Sequence, residues 1–346
     1  AVIETPISAY MFALVCDNDL PIDIIYHFNK DNYNVDDVIS VCSDILVDKN
    51  NQREIIISDG ANWALDNRGK AVLFAKDRLH SESINLEEYE CIYANPFTNS
   101  FGFYISTIRH LEILSHGSID YLRFKNIFYE KIKLLVRTGK WMKKPSKYYG
   151  LVDIKNPKKG YILVSQTERK WDIQISNIDD VDKIQLQSVF CAWTEHFSYQ
   201  EAYSNRMISL NAQLIKEYCD LNNTQIPHLF IKIHRRSTLP SEKQREMIRK
   251  AFQDNVEKII FIDELIEPKY ASYLPAELLI QTLNIKNVIG SSSALIWNCA
   301  AMEDVNCYSF LTLGANDVGL TKLVLNHTNK ISKLLKKPPY DFGYTY

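Results

Sequence analysis

The chain has 346 residues, 46% hydrophobic and 24% charged, with a formal net charge of −2. That length allows two domains of ordinary size, and the composition is that of a globular protein. The near-neutral balance gives no global attraction to nucleic acid.

The predicted elements alternate from the start. Val2–Glu4 reads as short and extended, followed by an apolar stretch from Ile7 to Val15. Ile22–Phe28 is a strand candidate, and Val35–Val47 is a helix with apolar residues at helical spacing. Glu54–Ser58 is a β-rich run ending in the turn signal Asp59-Gly60, and Tyr93–Asn95 and Leu111–Leu114 are further strands. Between Arg137 and Asp182 the pattern breaks around Pro145, Gly150, Pro157 and Gly160, with one or two strands expected, such as Tyr161–Ser165.

From about Gln185 the alternation resumes. Strands are expected at Gln187–Ala192, His228–Ile233, Lys258–Ile262, Asn287–Ile289 and Asn306–Leu311. Tyr203–Tyr218 is a helix with Met207, Ile208, Leu214, Ile215 and Tyr218 on one face, and Ser241 with Gln244 forms a capping box for the next. The fold class expected is α/β, with parallel sheets covered by helices on both faces. Residues 1–150 form one domain, 151–184 a linker region and 185–346 a second domain with a C-terminal tail.

No uninterrupted apolar run approaches a membrane span, and no signal peptide is visible. The seven cysteines are odd in number and form no Cys-x-x-Cys pair. Neither a disulfide framework nor a zinc site is expected, and a reducing cytoplasm is the natural compartment. The run from Lys131 to Lys147 contains Lys133, Arg137, Lys140, Lys143 and Lys144 and no acid, with Trp141, Tyr148 and Tyr149 as its aromatic companions; the tail from Lys330 to Tyr346 repeats the theme. These runs read either as solvated helix faces or as surfaces drawn to anionic lipid or an acidic glycan.

The most informative stretch is Leu274–Ala294. Pro275 suits a first helical position because it has no N–H to leave unpaired. Glu277 follows at the helix start, where a carboxylate can accept hydrogen bonds from a ribose. After the short strand, Gly290 and then Ser291, Ser292 and Ser293 open another helix, whose N-terminal N–H groups suit a phosphate. The strand at 228–233 delivers Lys232, His234, Arg235 and Arg236 to its carboxyl end, where ligands of open α/β sheets bind. His234 there can protonate a leaving phosphate; the competing reading is a basic surface turn. In Ser115-His116-Gly117, His116 can take a proton from a sugar hydroxyl, and Asp120 can orient it or be the base itself. Asp59 is a rival base, although Asp-Gly is a common turn. The aspartates at 179, 180 and 182 read as a solvated loop, and the remaining histidines have no ligand spacing.

In order, Glu4-Thr5-Pro6, Lys232-Ile233-His234, Pro275-Ala276-Glu277 and Ser292-Ser293 resemble the motifs of bacterial GT-B type sialyltransferases, especially the lipooligosaccharide sialyltransferases of glycosyltransferase family 52 and their polysialyltransferase relatives. Two positions depart from that pattern: Arg235 stands where the family has proline, and Ser115-His116 where it has two acids. The resemblance implies a GT-B-like fold, two Rossmann-like domains facing across a cleft, with the acceptor on the N-terminal side and the nucleotide sugar on the C-terminal side. It implies an inverting enzyme that moves sialic acid from CMP-sialic acid to a sugar hydroxyl of a lipooligosaccharide or capsule glycan. His116 or Asp120 would be the base and His234 the acid, with Lys232, Arg235, Glu277, Ser291, Ser292 and Ser293 on the donor.

No cofactor and no metal is implied beyond the donor substrate. The expected partners are a nucleotide-sugar donor and a glycan acceptor. A homodimer and contact with the inner face of the membrane are allowed. The alternatives are a CMP-Kdo, other nonulosonate or UDP/GDP-hexose transferase, and a relative that binds nucleotide or glycan without turnover.

Overall fold

The computed structural model describes residues 1–28, 33–57, 70–98, 100–115, 118–166, 187–193, 201–233, 239–290, 294–309 and 329–342. The chain divides into two compact units. The first comprises Ala1–Leu151 and Asn156–Gln166, the second Val152–Lys155 and Thr167–Tyr346.

The first unit runs β1 (Val2–Ile3), α1 (Pro6–Val15), β2 (Ile22–His27), α2 (Val35–Ile45), β3 (Asn51–Ile57), α3 (Lys70–Ser81), β4 (Tyr93–Ala94), α4 (Ser100–Ile108), β5 (Glu112–Leu114), α5 (Ser118–Lys125), α6 (Ile127–Thr138), β6 (Lys147–Gly150) and β7 (Tyr161–Leu163). All its strand pairs are parallel, hydrogen-bonded as β1-β2-β3 and β4-β5-β6-β7, with β1 lying against β4. Ile24 through His27 are buried at consecutive positions, the signature of a parallel strand covered on both faces. α1 starts sharply because Thr5 caps it, Ser8 completes a capping box, and Pro6 occupies the first turn.

The second unit runs β8 (Val189–Trp193), α7 (Glu201–Asn222), β9 (Ile226–Ile233), α8 (Glu242–Phe252), β10 (Val256–Phe261), α9 (Ile262–Leu265), α10 (Pro268–Tyr273), α11 (Ala276–Thr282), β11 (Asn287–Gly290), α12 (Ala294–Cys299), β12 (Asn306–Ser309) and β13 (Tyr340–Asp341). Its six strands are parallel in the order β10-β9-β8-β11-β12-β13. The chain therefore starts in the middle, walks outward to β10, then crosses back to place β11 beside β8. That reversal is the switch point at which doubly wound sheets bind ligands.

Helical and strand periodicities meet in the core of this unit. Val189, Cys191 and Trp193 of β8 and Leu229, Ile231 and Ile233 of β9 alternate onto one face. The α7 residues Met207, Ile208, Leu214, Ile215 and Tyr218 pack there, as their helical spacing predicts, along with Ile248 and Phe252 of α8. Ser241 and Gln244 form the expected capping box. One turn on, buried Arg245 bonds to Asp263 at 2.6 Å and Glu264 at 3.0 Å and lies over the Phe261 ring. It ties α8 to α9.

Segment 152–155 belongs to the second unit. Ile154 makes an antiparallel bridge with Leu335, Lys155 N–H donates to Leu334 O, and Lys336 pairs with Asp153 at 2.9 Å. Two details differ from the sequence expectation. Pro275 is the cap that precedes the first helical residue. β13 adds an edge strand beyond β12, while β6 and β7 are the two strands allowed in the stretch whose pattern breaks. No helix among the described residues is long and apolar enough to cross a membrane.

Candidate functional site

Register fixes what stands at the carboxyl edge of the second unit's sheet. Lys232, Ala192, Gly290, Ser309 and Asp341 pair in sequence across β9, β8, β11, β12 and β13 and form one row. Side chains of a parallel row share a face. Lys232 uses its side chain to donate to the carbonyl of Ala271 at the end of the neighbouring α10.

Glu277 lies in the first turn of α11, a position that favours a negative charge. It is buried, and its Oε1 accepts a 2.7 Å hydrogen bond from Asn298 Nδ2 on α12. Burial pushes its carboxyl pKa up. The Asn298 bond, its own backbone N–H and the charge of Lys232 oppose that shift. Elements far apart in sequence, β9, α11 and α12, thus converge on one carboxylate near the switch point. A carboxylate has about four acceptor positions, so the Asn298 bond leaves acceptor capacity for ligand hydroxyls.

The first unit carries a second polar cluster where its strands end. Asn95, directly after β4, donates to Asp120 Oδ2 at 2.7 Å and to Leu114 O at 3.1 Å, and its Oδ1 accepts from Phe97 N–H. Arg123 donates to the other Asp120 oxygen at 3.2 Å. Tyr148 donates to Ser115 Oγ at 3.0 Å, and burial holds its phenol well above the usual range. Glu4, at the end of β1, accepts from Thr98 at 2.8 Å. His27 is enclosed at the end of β2 with Phe101 edge-on at 4.7 Å.

Of the residues expected to form the site, Asp120, Lys232 and Glu277 are described. His116, His234, Arg235, Ser291, Ser292 and Ser293 lie outside the described residues, as do Asp59 and the aspartates at 179, 180 and 182. The structure brings Lys232 and Glu277 together in the second unit and sets Asp120 in the cluster of the first. Asn298 and Asn95 escaped the sequence reading. The signal for Asn298 was there: an amide in the apolar helical run Ala294–Cys299 needs a buried partner. Among the described residues no group of three or more His, Cys, Asp or Glu side chains can hold a metal ion, and all seven cysteines are free thiols.

No protein-family model and no curated protein matches the chain. Solved structures do. A candidate UDP-N-acetylglucosamine 2-epimerase from Listeria monocytogenes matches with a TM-score of 0.50 and 11% identity, over 99% of this chain and 91% of that one. The complex of S. aureus MnaA with UDP matches with a TM-score of 0.45 and 11% identity, over 99% and 98%. The fold is α/β and GT-B-like, with two Rossmann-like units.

These findings correct the expected kinship. The Listeria neighbour is named as a UDP-sugar epimerase and not as a CMP-sialic acid sialyltransferase, so the family 52 assignment, the sialyl-transfer reaction and the role in lipooligosaccharide or capsule sialylation are withdrawn. The physical reason lies in what the motifs report. A Pro-x-Glu helix start, serines before a helix and a basic strand end are needed to grip the ribose and phosphate of any nucleotide sugar on such a sheet. They carry no information about the base or the sugar.

Proposed function

We propose that this chain is an enzyme acting on a UDP-linked sugar, with the nucleotide held by the second unit. The observation that carries the reading is Glu277: a buried carboxylate, pinned by Asn298, in the helix that leads into β11 beside the switch point. Its place suits hydrogen bonds from ribose hydroxyls. The GT-B-like fold supports the same reading, and the Listeria neighbour that shares it is named for a UDP-sugar reaction.

Ser291, Ser292 and Ser293 follow β11 directly in sequence, and His234 and Arg235 follow β9. We assign these to the diphosphate, where hydroxyls, a helix start and cations meet its charge. Chemistry on the sugar is assigned to the first unit, to His116 or to Asp120 in its cluster with Asn95 and Arg123. Uracil over cytosine is the alternative donor reading made concrete.

Calorimetry with UDP, CMP and GDP tests the nucleotide, with UDP expected to bind tightest. Incubation with UDP-N-acetylglucosamine then separates reaction classes by NMR. Free UDP signifies transfer or hydrolysis, and a new sugar configuration signifies epimerisation. Tighter binding of CMP, or no binding of any of the three, overturns the reading.

A further inference from the structure

α6 breaks the ordinary rule for a surface helix. Its inner side is satisfied, with Leu134 and Thr138 buried. Its outer side should then be polar. Instead Phe128, Tyr129, Ile132, Leu135 and Val136 are all exposed, Phe128 at 67% and Val136 at 80%. At the α-helical repeat these five fall within about 120° of the circumference, one continuous apolar arc. Lys131 borders the arc on one side and Lys133 on the other.

The chain beyond the helix extends the same face. Gly139, in the left-handed conformation, ends α6 and turns the chain into Lys140, Trp141, Lys143 and Lys144, with Met142 buried beneath them as the anchor of this segment. Trp141 is half exposed, and the Lys131 ammonium stands 5.6 Å from its ring centroid. From Lys131 to Lys147 the chain holds seven cations and no acid. Glu130, the acid just before this run, is engaged by Lys133 at 3.4 Å. The cations also crowd one another: partial burial and the charge of Lys144 both push the Lys131 and Lys158 ammonium groups down.

We propose that α6 and residues 140–144 form an interfacial face that docks this chain onto an anionic lipid surface. An apolar helical arc edged by lysines, with tryptophan at one end, is the pattern that lies in a membrane interface. The apolar arc enters the acyl boundary, and the lysine stems extend outward to the head groups. A second copy fits poorly, because two-fold pairing sets this patch against itself and brings like charges together. The inference does not depend on the nucleotide reading.

The test is co-sedimentation of the full chain with vesicles of equimolar phosphatidylcholine and phosphatidylglycerol, against vesicles of phosphatidylcholine alone. Binding is expected only to the anionic vesicles and weakens with salt. The exposed pair Phe128→Asp and Val136→Asp, introduced together, is expected to lower binding at least about tenfold. Lys140→Gln and Lys144→Gln are each expected to lower it about fivefold. Circular dichroism melts and UDP binding check that these variants stay folded, and Glu277→Gln is expected to leave vesicle binding unchanged. No binding to anionic vesicles, or binding that survives the double aspartate variant, overturns the proposal. So does a wild-type dimer in light scattering that the double variant dissolves, which assigns the face to a second copy. Binding of polyglutamate without binding of phosphatidylglycerol assigns it to an acidic protein.

Discussion

Asn298 donates its side-chain amide to Glu277 Oε1 across 2.7 Å, joining α12 to the first turn of α11. Removing the donor leaves a buried carboxylate without this bond. Asn298→Ala is expected to destabilise the chain by about 1–3 kcal/mol in urea melts and to weaken UDP in calorimetry.

Glu277→Gln separates stability from binding. Burial raises the Glu277 carboxyl pKa in the fold, so the folded chain holds this proton more tightly than the unfolded one. Such a group favours the fold at low pH, and its contribution is lost as pH rises through the folded value. A neutral glutamine escapes that loss. The variant's stability relative to wild type is therefore expected to rise as pH climbs from the ordinary carboxylate value to the raised folded one, and to level off beyond it. Its UDP affinity is expected to fall about tenfold to a hundredfold, the worth of hydrogen bonds to a charged group. Melts across pH together with calorimetry read both effects.

Gly102 holds α4 close to the end of β4. A Cβ at this position would stand 2.5 Å from the Asn95 carbonyl oxygen, a backbone atom that cannot swing away. Gly102→Ala is expected to cost about 1–3 kcal/mol by thermal melt and to disturb the Asn95–Asp120 bond, seen as shifted Asn95 side-chain amide signals by NMR.

Arg245→Met strands Asp263 and Glu264 without their buried cation. Glu264 is partly exposed and keeps Arg249 at 3.2 Å, so a loss of about 1–3 kcal/mol is expected in urea, most of it from Asp263.

Cys91 is exposed, yet desolvation by its surroundings and the charge of Glu112 push its thiol up to about 11. Little thiolate is present near neutrality, and the thiolate is the nucleophile. Alkylation by iodoacetamide, followed by mass spectrometry, is expected to be slow at Cys91 and to accelerate as pH rises towards that value. Glu112→Gln is expected to speed it.

The second unit was legible because buried parallel strands are apolar runs. The segments expected around 187–192, 228–233, 258–262 and 287–289 are β8, β9, β10 and β11. A second strand was allowed in the 137–182 stretch, but β6 had no bounds in the sequence because Tyr148 and Tyr149 follow a run of lysines and read as part of a basic patch. β13 has two residues and is defined by its neighbour rather than by its own pattern. In the site, Glu277 was legible as an acid after a proline at a helix start. Asn298 was legible only as a buried amide in need of a partner; which partner is fixed once α12 packs on α11. The kind of nucleotide was illegible for a different reason: the residues that betray a nucleotide site touch ribose and phosphate, which all such donors share.

The clasp of Ile154 on Leu335 sets a schedule for synthesis. About 180 residues separate the two positions, roughly ten to forty seconds of translation at ordinary rates. For that interval the nascent segment 152–155 has no strand to join, while β7 just after it already has its place in the first unit. Placement of segment 152–155 on the second unit therefore waits on Leu335 to leave the ribosome, and a chain that stalls before it leaves that segment without its partner.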